Sequence, residues 1–197
     1  MKYNPDIHHR HSIRLKNYDY SSNGLYYITI CTQNRAMLFG EIVGQDVGAD
    51  SISALDTQNS LDSQFAQMHL NDAGEMVENL YRETIRQFKN VIDAKHVIMP
   101  NHFHGIIAMD RSKPRTSTTR ADMESAPTLS AIIQAFKRYT TIKYVDGVKD
   151  GRFTPFNKRI WQRNYYERII RDETEYLRIW QYIDENPARW EEDKCFG

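Results

Sequence analysis

The sequence predicts an α+β fold in which an antiparallel sheet carries helices packed on one face. Short segments rich in β-branched and aromatic residues indicate strands, and three other segments repeat apolar residues at helical spacing. They follow one another as strand, helix, two strands, helix, strand, helix, an order typical of a ferredoxin-like sandwich. The 197 residues contain no internal repeat and are expected to form one domain over 1–197.

The first part of the chain supplies a strand, a polar insertion and a helix. Leu25 to Thr32 is dense in aromatic and β-branched residues and is predicted to be a central strand, followed by an extended piece from Met37 to Val43. The polar stretch at about 44–70 lacks periodicity, so we expect a loop or local insertion there. Asp72 and Glu75 form a capping-box pattern in front of apolar residues at helical spacing, which predicts a helix.

The last third of the chain supplies two more helices and a strand. Thr128 is the predicted N-cap of an amphipathic helix that runs to about Tyr144. Residues 159–170 are predicted to form a strand with an irregular centre. Asp172 opens a final helix, which stops before Pro187 because proline disfavours helix in the residue that precedes it.

Between these helices, a predicted hairpin of about 91–99 and 102–109 carries His102-Phe103-His104 at the start of its second strand. Alternate residues of a strand point to the same face, so both imidazoles project side by side while Phe103 turns into packing. Two imidazoles form half of a metal site, which one or two further N or O ligands would complete. The alternative is a pair of surface or hydrogen-bonded histidines without a metal.

The final helix carries a second pair of polar side chains. Tyr182 and Asn186 are four positions apart, so they lie nearly in line on one side of the helix, at the edge of its apolar stripe. If this helix packs beside the hairpin, Asn186 completes a His-His-amide site with Tyr182 next to it. The spacing alone leaves other pairings open.

Charge is balanced overall but unevenly distributed, with 26 basic and 26 acidic residues. From 130 to 171 ten Lys and Arg stand against three acids, interleaved with aromatic residues. Basic side chains neutralise phosphates and aromatic rings stack on exposed bases, so this segment is compatible with a nucleic-acid partner. A solvated basic face over an aromatic core would explain the same composition.

Composition also indicates the cellular setting. No apolar run reaches membrane-spanning length, and the polar N-terminus lacks the apolar core of a signal peptide, so we expect no membrane partner. Cys31 and Cys195 lie far apart without a C-x-x-C spacing, which favours a reducing, cytoplasmic location. Both cysteines are expected to be ordinary packing or surface residues.

Three motifs in the same order resemble the single-tyrosine HUH transposases, and among them the REP-associated tyrosine transposases. The similarity covers about residues 10 to 190 and departs from the family in the insertion at 44–70 and at Asn186, where other branches use glutamine. The motifs are His102-Phe103-His104 after Val97-Ile98-Met99-Pro100-Asn101, the segment from Trp161 to Arg171, and Tyr182-Ile183-x-x-Asn186-Pro187, preceded by similar segments from Ser12 to Tyr20 and from Tyr26 to Arg35.

The resemblance implies a metal-dependent endonuclease and transposase that cleaves and rejoins single-stranded DNA at hairpin sequences. Tyr182 would be the catalytic nucleophile and form a 5′-phosphotyrosine intermediate. A divalent ion, Mg²⁺ or Mn²⁺, would be held by His102, His104 and Asn186.

The same resemblance implies a cytoplasmic, nucleoid-associated protein that acts on single-stranded or hairpin DNA, and it is compatible with a homodimer. The expected DNA contacts are Lys137, Arg138, Arg163 and Arg14. Two other functions fit the same residues. One is a domesticated hairpin-binding regulator without catalysis, and the other is a metal phosphodiesterase that uses water in place of Tyr182.

Overall fold

The computed structural model describes residues 24–44, 66–110, 128–193 and 195. Two short 3₁₀ turns, Gln33–Arg35 and Trp190–Glu192, accompany the regular elements. The strands and helices, in chain order, are β1 (Gly24–Cys31), β2 (Gly40–Val43), β3 (Gln67–Leu70), α1 (Asp72–Gln87), β4 (Val91–Met99), β5 (His102–Met109), α2 (Leu129–Lys149), β6 (Tyr166–Ile170) and α3 (Glu173–Glu185).

The main sheet has the strand order β4-β5-β1-β6, and every neighbouring pair is antiparallel. This order, with α1 between β1 and β4 and α2 between β5 and β6, is the ferredoxin-like arrangement. The α+β class and the antiparallel sheet predicted from the sequence are therefore confirmed. The predicted central strand is β1, which lies between β5 and β6.

The sheet carries helices on both faces rather than on one. Successive side chains of β1 point to opposite sides, so Tyr26 and Ile28 enter the core that includes α1 and α2. Tyr27 enters a second, smaller core with Ile179 and Ile183 of α3. The final helix therefore covers the face that α1 and α2 leave open, because its own apolar stripe packs on the other set of strand residues.

A small second sheet corrects the prediction for the stretch at 44–70. Strand β3 (Gln67–Leu70) pairs with β2 (Gly40–Val43) in an antiparallel ladder, so the end of that stretch is extended rather than a loop. Its short, polar sequence gives little strand signal, and its hydrogen bonds come from a partner far along the chain. The rest of the predicted insertion, 45–65, lies outside the described residues.

Helix caps follow the expected chemistry with one shift. Asn71, not Asp72, is the N-cap of α1, because its side-chain oxygen accepts a hydrogen bond from the Gly74 amide at 2.9 Å. Thr128 and Asp172 cap α2 and α3 as predicted. Helix α2 runs to Lys149, one turn beyond the predicted end. None of the helices in the described part of the chain is long and apolar enough to cross a membrane.

Candidate active site

Strand β5 places two imidazoles side by side on the face of the sheet that α3 covers. His102 and His104 are buried, at 0% and 2% exposure, and their ring centroids are 4.4 Å apart. Phe103, between them, points to the opposite face, with its ring centroid 4.6 Å from that of Tyr81. The alternation predicted for this hairpin is confirmed, and it follows from the strand's two-residue period.

Helix α3 brings the second pair of predicted residues to the histidines. Ile179 and Ile183 anchor the helix in the smaller core, which turns Tyr182 and Asn186 toward β5. The Tyr182 ring centroid lies 5.3 Å from that of His104, and Asn186 is 2% exposed at the C-cap of the helix. The helix therefore packs beside the hairpin and brings Tyr182 and Asn186 next to the two histidines.

Each histidine uses its Nδ1 atom for a contact within the protein. His102 Nδ1 lies 2.8 Å from Asn101 Oδ1, an acceptor, so this nitrogen carries the ring proton. His104 Nδ1 lies 2.9 Å from both the Tyr27 and the Thr29 hydroxyl oxygens. Such contacts fix the ring orientation and aim the Nε2 lone pair at a metal or a proton.

Asp193 completes the cluster, and the sequence prediction missed it. Its Oδ2 atom accepts hydrogen bonds from the Tyr182 hydroxyl and, at 2.7 Å, from Asn186 Nδ2. The same oxygen lies 3.5 Å from His104 Nε2, and the other carboxylate oxygen lies 4.0 Å from His102 Nε2. A single carboxylate therefore contacts the tyrosine and the amide and faces both imidazoles.

The donor atoms of this cluster fit a divalent metal ion. Ligand atoms of His102, His104 and Asp193 lie within 4.8 Å of one another. Three buried atoms next to them, His102 Nε2, His104 Nε2 and Asn186 Oδ1, have no hydrogen-bond partner. Buried polar atoms are rarely left unpaired, and two imidazoles with a carboxylate are donors that first-row divalent ions accept. The group could bind a metal.

Burial sets the protonation states of the cluster. It lowers the pKa of His102 to about 3, with a further contribution from His104, and it also lowers the pKa of His104. Both imidazoles are thus neutral, the form that binds metal. Although burial alone would raise the pKa of Asp193, the adjacent His104 ring and hydrogen bonds from Tyr182 and Asn186 hold that pKa well below its usual range. Burial and the bond to Asp193 raise the pKa of the Tyr182 hydroxyl.

An open cleft of about 670 Å³ leads to this cluster. Tyr182 and His104 form its inner wall, and Tyr27 and the exposed Tyr166 add aromatic surface. Arg168 and Arg178, which stand near Glu175, also line it. The Tyr182 side chain is therefore reachable from solvent on the side where aromatic and cationic groups meet.

The predicted DNA contacts occupy different environments. Lys137 donates hydrogen bonds to the Gln162 and Asn164 carbonyls at 3.0 and 3.2 Å, and burial lowers its pKa to about 8. It therefore holds the segment that precedes β6. Arg138 and Arg163 are exposed. Arg14 lies outside the described residues. Contact of these four residues with DNA stays a prediction.

Asp193 gave no sequence signal because it looks like its neighbours. It is one of eight acids between 172 and 197, without a motif around it. Trp190, three residues before Asp193, stacks its ring on His102 at a centroid distance of 5.7 Å. This contact holds the turn that precedes Asp193 beside the histidines, but it is visible only in the structure. Proximity in space, rather than spacing along the chain, identifies this residue.

Comparison with known proteins gives a sequence relative and a solved structure with the same fold. No family model matches the chain. A protein from Haemophilus influenzae, described as an uncharacterized protein, is 37% identical over 203 residues, which cover 99% of this chain and 97% of that protein. A solved REP-associated tyrosine transposase, bound to a REP hairpin, superposes with a TM-score of 0.51 at 16% identity, covering 91% of this chain and 74% of that one. This second likeness shows that the two proteins share a fold.

Proposed function

We propose that this chain, which belongs to one family with the Haemophilus influenzae protein and has the fold of a REP-associated tyrosine transposase, cleaves and rejoins single-stranded DNA through Tyr182. The observation that carries the proposal is the convergence of Tyr182, His102, His104 and Asn186 on one buried carboxylate, that of Asp193. A tyrosine hydroxyl beside a set of metal donors is what a metal-assisted phosphotyrosine mechanism requires.

The donor set is assigned as His102 Nε2, His104 Nε2 and a carboxylate oxygen of Asp193, with Asn186 Oδ1 as an additional ligand. We include Asn186 because its Oδ1 atom is buried without a partner, and Asp193 because its carboxylate faces both imidazoles. A divalent ion, Mg²⁺ or Mn²⁺, would supply positive charge that polarises the phosphodiester and stabilises the charge developing in the transition state.

The groups of the cluster can supply the nucleophile and the proton acceptor of the covalent step. The Tyr182 oxygen attacks phosphorus, the new bond joins phosphorus to that oxygen, and the bond to the 3′-oxygen breaks. Asp193 Oδ2, which already accepts a hydrogen bond from the Tyr182 hydroxyl, is placed to receive its proton. The departing 3′-oxygen takes up the proton that Asp193 received, so the products are a 5′-phosphotyrosine and a DNA 3′-hydroxyl. Reversal with a second 3′-hydroxyl rejoins a strand without a nucleotide cofactor.

The cleft beside Tyr182 supports single-stranded DNA as the substrate. Tyr166 is 49% exposed and offers a ring for an unpaired base. Arg178, and Arg168 in its ion pair with Glu175, place positive charge beside the same cleft for phosphates. A duplex would hide its bases from these rings. The solved structure with the same fold holds a REP hairpin, which makes hairpin DNA the first substrate to test.

The decisive experiment incubates labelled single-stranded hairpin DNA from the flanks of the protein's own gene with Mn²⁺ or Mg²⁺. We expect a protein–DNA adduct that survives denaturant, maps to Tyr182 and is absent in Tyr182→Phe. Tyr176→Phe is the matched control, because Tyr176 lies on the same helix but packs in the smaller core, and it keeps the adduct.

Two other outcomes would replace the proposal. Cleavage that persists in Tyr182→Phe without any adduct identifies a metal phosphodiesterase that uses water. Tight hairpin binding with neither adduct nor cleavage, unchanged in the double variant His102→Gln/His104→Gln, identifies a regulator that binds DNA without catalysis.

A further inference from the structure

Two cysteines that lie 164 positions apart meet beside the candidate active site. Cys31 ends strand β1, Cys195 follows the turn that carries Asp193, and their sulfur atoms are 3.3 Å apart. A disulfide bond is about 2.05 Å long, so closing one would need a shift of only about 1.3 Å. Both thiols are free and half-buried, and both line the open cleft, where a small oxidant can reach them.

Hydrogen bonds hold Cys195 in this position independently of its sulfur. Its carbonyl oxygen accepts a hydrogen bond from Asn101 Nδ2 at 2.9 Å, and its amide donates to Asp193 Oδ1 at 2.5 Å. Asn101 is fully buried and also contacts His102 through Oδ1. The approach of the two sulfurs therefore follows from the packing of the turn against the hairpin.

We propose that Cys31 and Cys195 are an oxidation site that forms an intramolecular disulfide and fixes the Asp193 turn against the two histidines. The oxidant is a small peroxide. It converts one thiol to a sulfenic acid and releases water; the other thiol then attacks that sulfur, forms the S–S bond and releases a second water. A dithiol reductant reverses the bond by exchange.

The disulfide has a consequence for metal binding, which rests on the role proposed above for Asp193. Asp193 is the candidate ligand that comes from a turn rather than from a strand or a long helix. A covalent bond two residues away restricts that turn, so less conformational entropy is lost when a metal ion binds. The oxidised protein is therefore expected to bind a divalent ion more tightly than the reduced protein.

The test starts with the full chain, reduced and then treated with hydrogen peroxide at increasing ratios. Free thiols are blocked with an alkylating agent under denaturing conditions, and the peptides are mapped by mass spectrometry. We expect a linked peptide pair containing Cys31 and Cys195, lost after dithiothreitol and absent in Cys31→Ser and Cys195→Ser. Separate sulfinic acids without a linked pair, or disulfides between molecules, would overturn the proposal.

Mn²⁺ titration by calorimetry tests the consequence without any DNA. Oxidation is expected to tighten Mn²⁺ binding several-fold in the wild type and to leave it unchanged in Cys31→Ser and in Cys195→Ser. Equal affinities for oxidised and reduced wild type would refute the link to Asp193. The adduct assay for Tyr182, carried out in reductant, reports on the proposed function separately, so a failure of one does not imply a failure of the other.

Discussion

The two faces of the main sheet use the same strands for different purposes. On one face, Phe103 and Ile107 of β5 join an apolar core with α1 and α2. On the other face, His102 and His104 of the same strand lie buried with Nε2 atoms that have no hydrogen-bond partner. Residues one position apart therefore build the apolar core on one side and the candidate metal site on the other. A single strand can do both because its side chains alternate between faces.

The sharpest test of this difference compares Phe103→Ala with His104→Gln. Phe103 is fully buried between Tyr81 and Phe136, so its truncation is expected to lower the free energy of unfolding by about 3–5 kcal/mol. His104→Gln preserves the approximate volume and is expected to cost less stability but to abolish Mn²⁺ binding. Urea denaturation and calorimetric titration measure the two effects.

The loss of stability and the loss of Mn²⁺ binding should occur in different variants. Phe103→Ala should bind Mn²⁺ like the wild type at temperatures where it remains folded. A loss of Mn²⁺ affinity in that folded variant, as large as in His104→Gln, would mean that the two faces are not independent.

The second prediction concerns how the free energy of unfolding of the metal-free protein depends on pH, through the two buried histidines. The folded state holds His102 neutral down to about pH 3, and His104 is shifted in the same direction, whereas unfolded histidine titrates near pH ~6.5. As pH falls below that value the unfolded chain binds protons first, so the free energy of unfolding decreases. The slope approaches about 1.4 kcal/mol per pH unit for each histidine.

Urea denaturation in chelator between pH 7.5 and 4.5 checks this slope. Above about pH 7 both states hold neutral imidazoles and the histidines contribute no slope. The depressed pKa of Asp193 also lowers the free energy of unfolding as pH falls, but only in the more acidic range where carboxyl groups titrate. The double variant His102→Gln/His104→Gln should lose most of the slope, and a wild-type profile as flat as that of the variant would contradict the prediction.

The smallest expected effect compares the caps of helices on the two faces. Thr128 caps α2 and Asp172 caps α3, each through a side-chain oxygen that accepts a backbone amide. Replacing either by alanine is expected to cost about 1 kcal/mol of stability. Only Asp172→Ala should also reduce adduct formation, since α3 carries Tyr182. An equal loss of adduct in Thr128→Ala would show that losing a cap acts through general destabilisation of the fold rather than through the position of Tyr182.

Local chemistry made much of the molecule predictable. The hairpin bounds followed from two-residue alternation around Pro100-Asn101, and the pairing of Tyr182 with Asn186 followed from their spacing on one helix. The motif order supplied the link between helix and hairpin. What the sequence left undetermined depends on distant partners. Strand β3 is defined by its hydrogen bonds to β2, and Asp193 by its contacts with β5 and α3.

The chain order of these residues bears on when the site can exist during synthesis. Domains generally fold from the N-terminus as the polypeptide emerges, so β5 and its two histidines are available early. Tyr182, Asn186 and Asp193 follow 78, 82 and 89 residues after His104. A nascent protein thus holds both imidazoles before Tyr182 and the Asp193 carboxylate have been synthesised. The candidate site can therefore form only after synthesis has passed Asp193, well after both histidines are available.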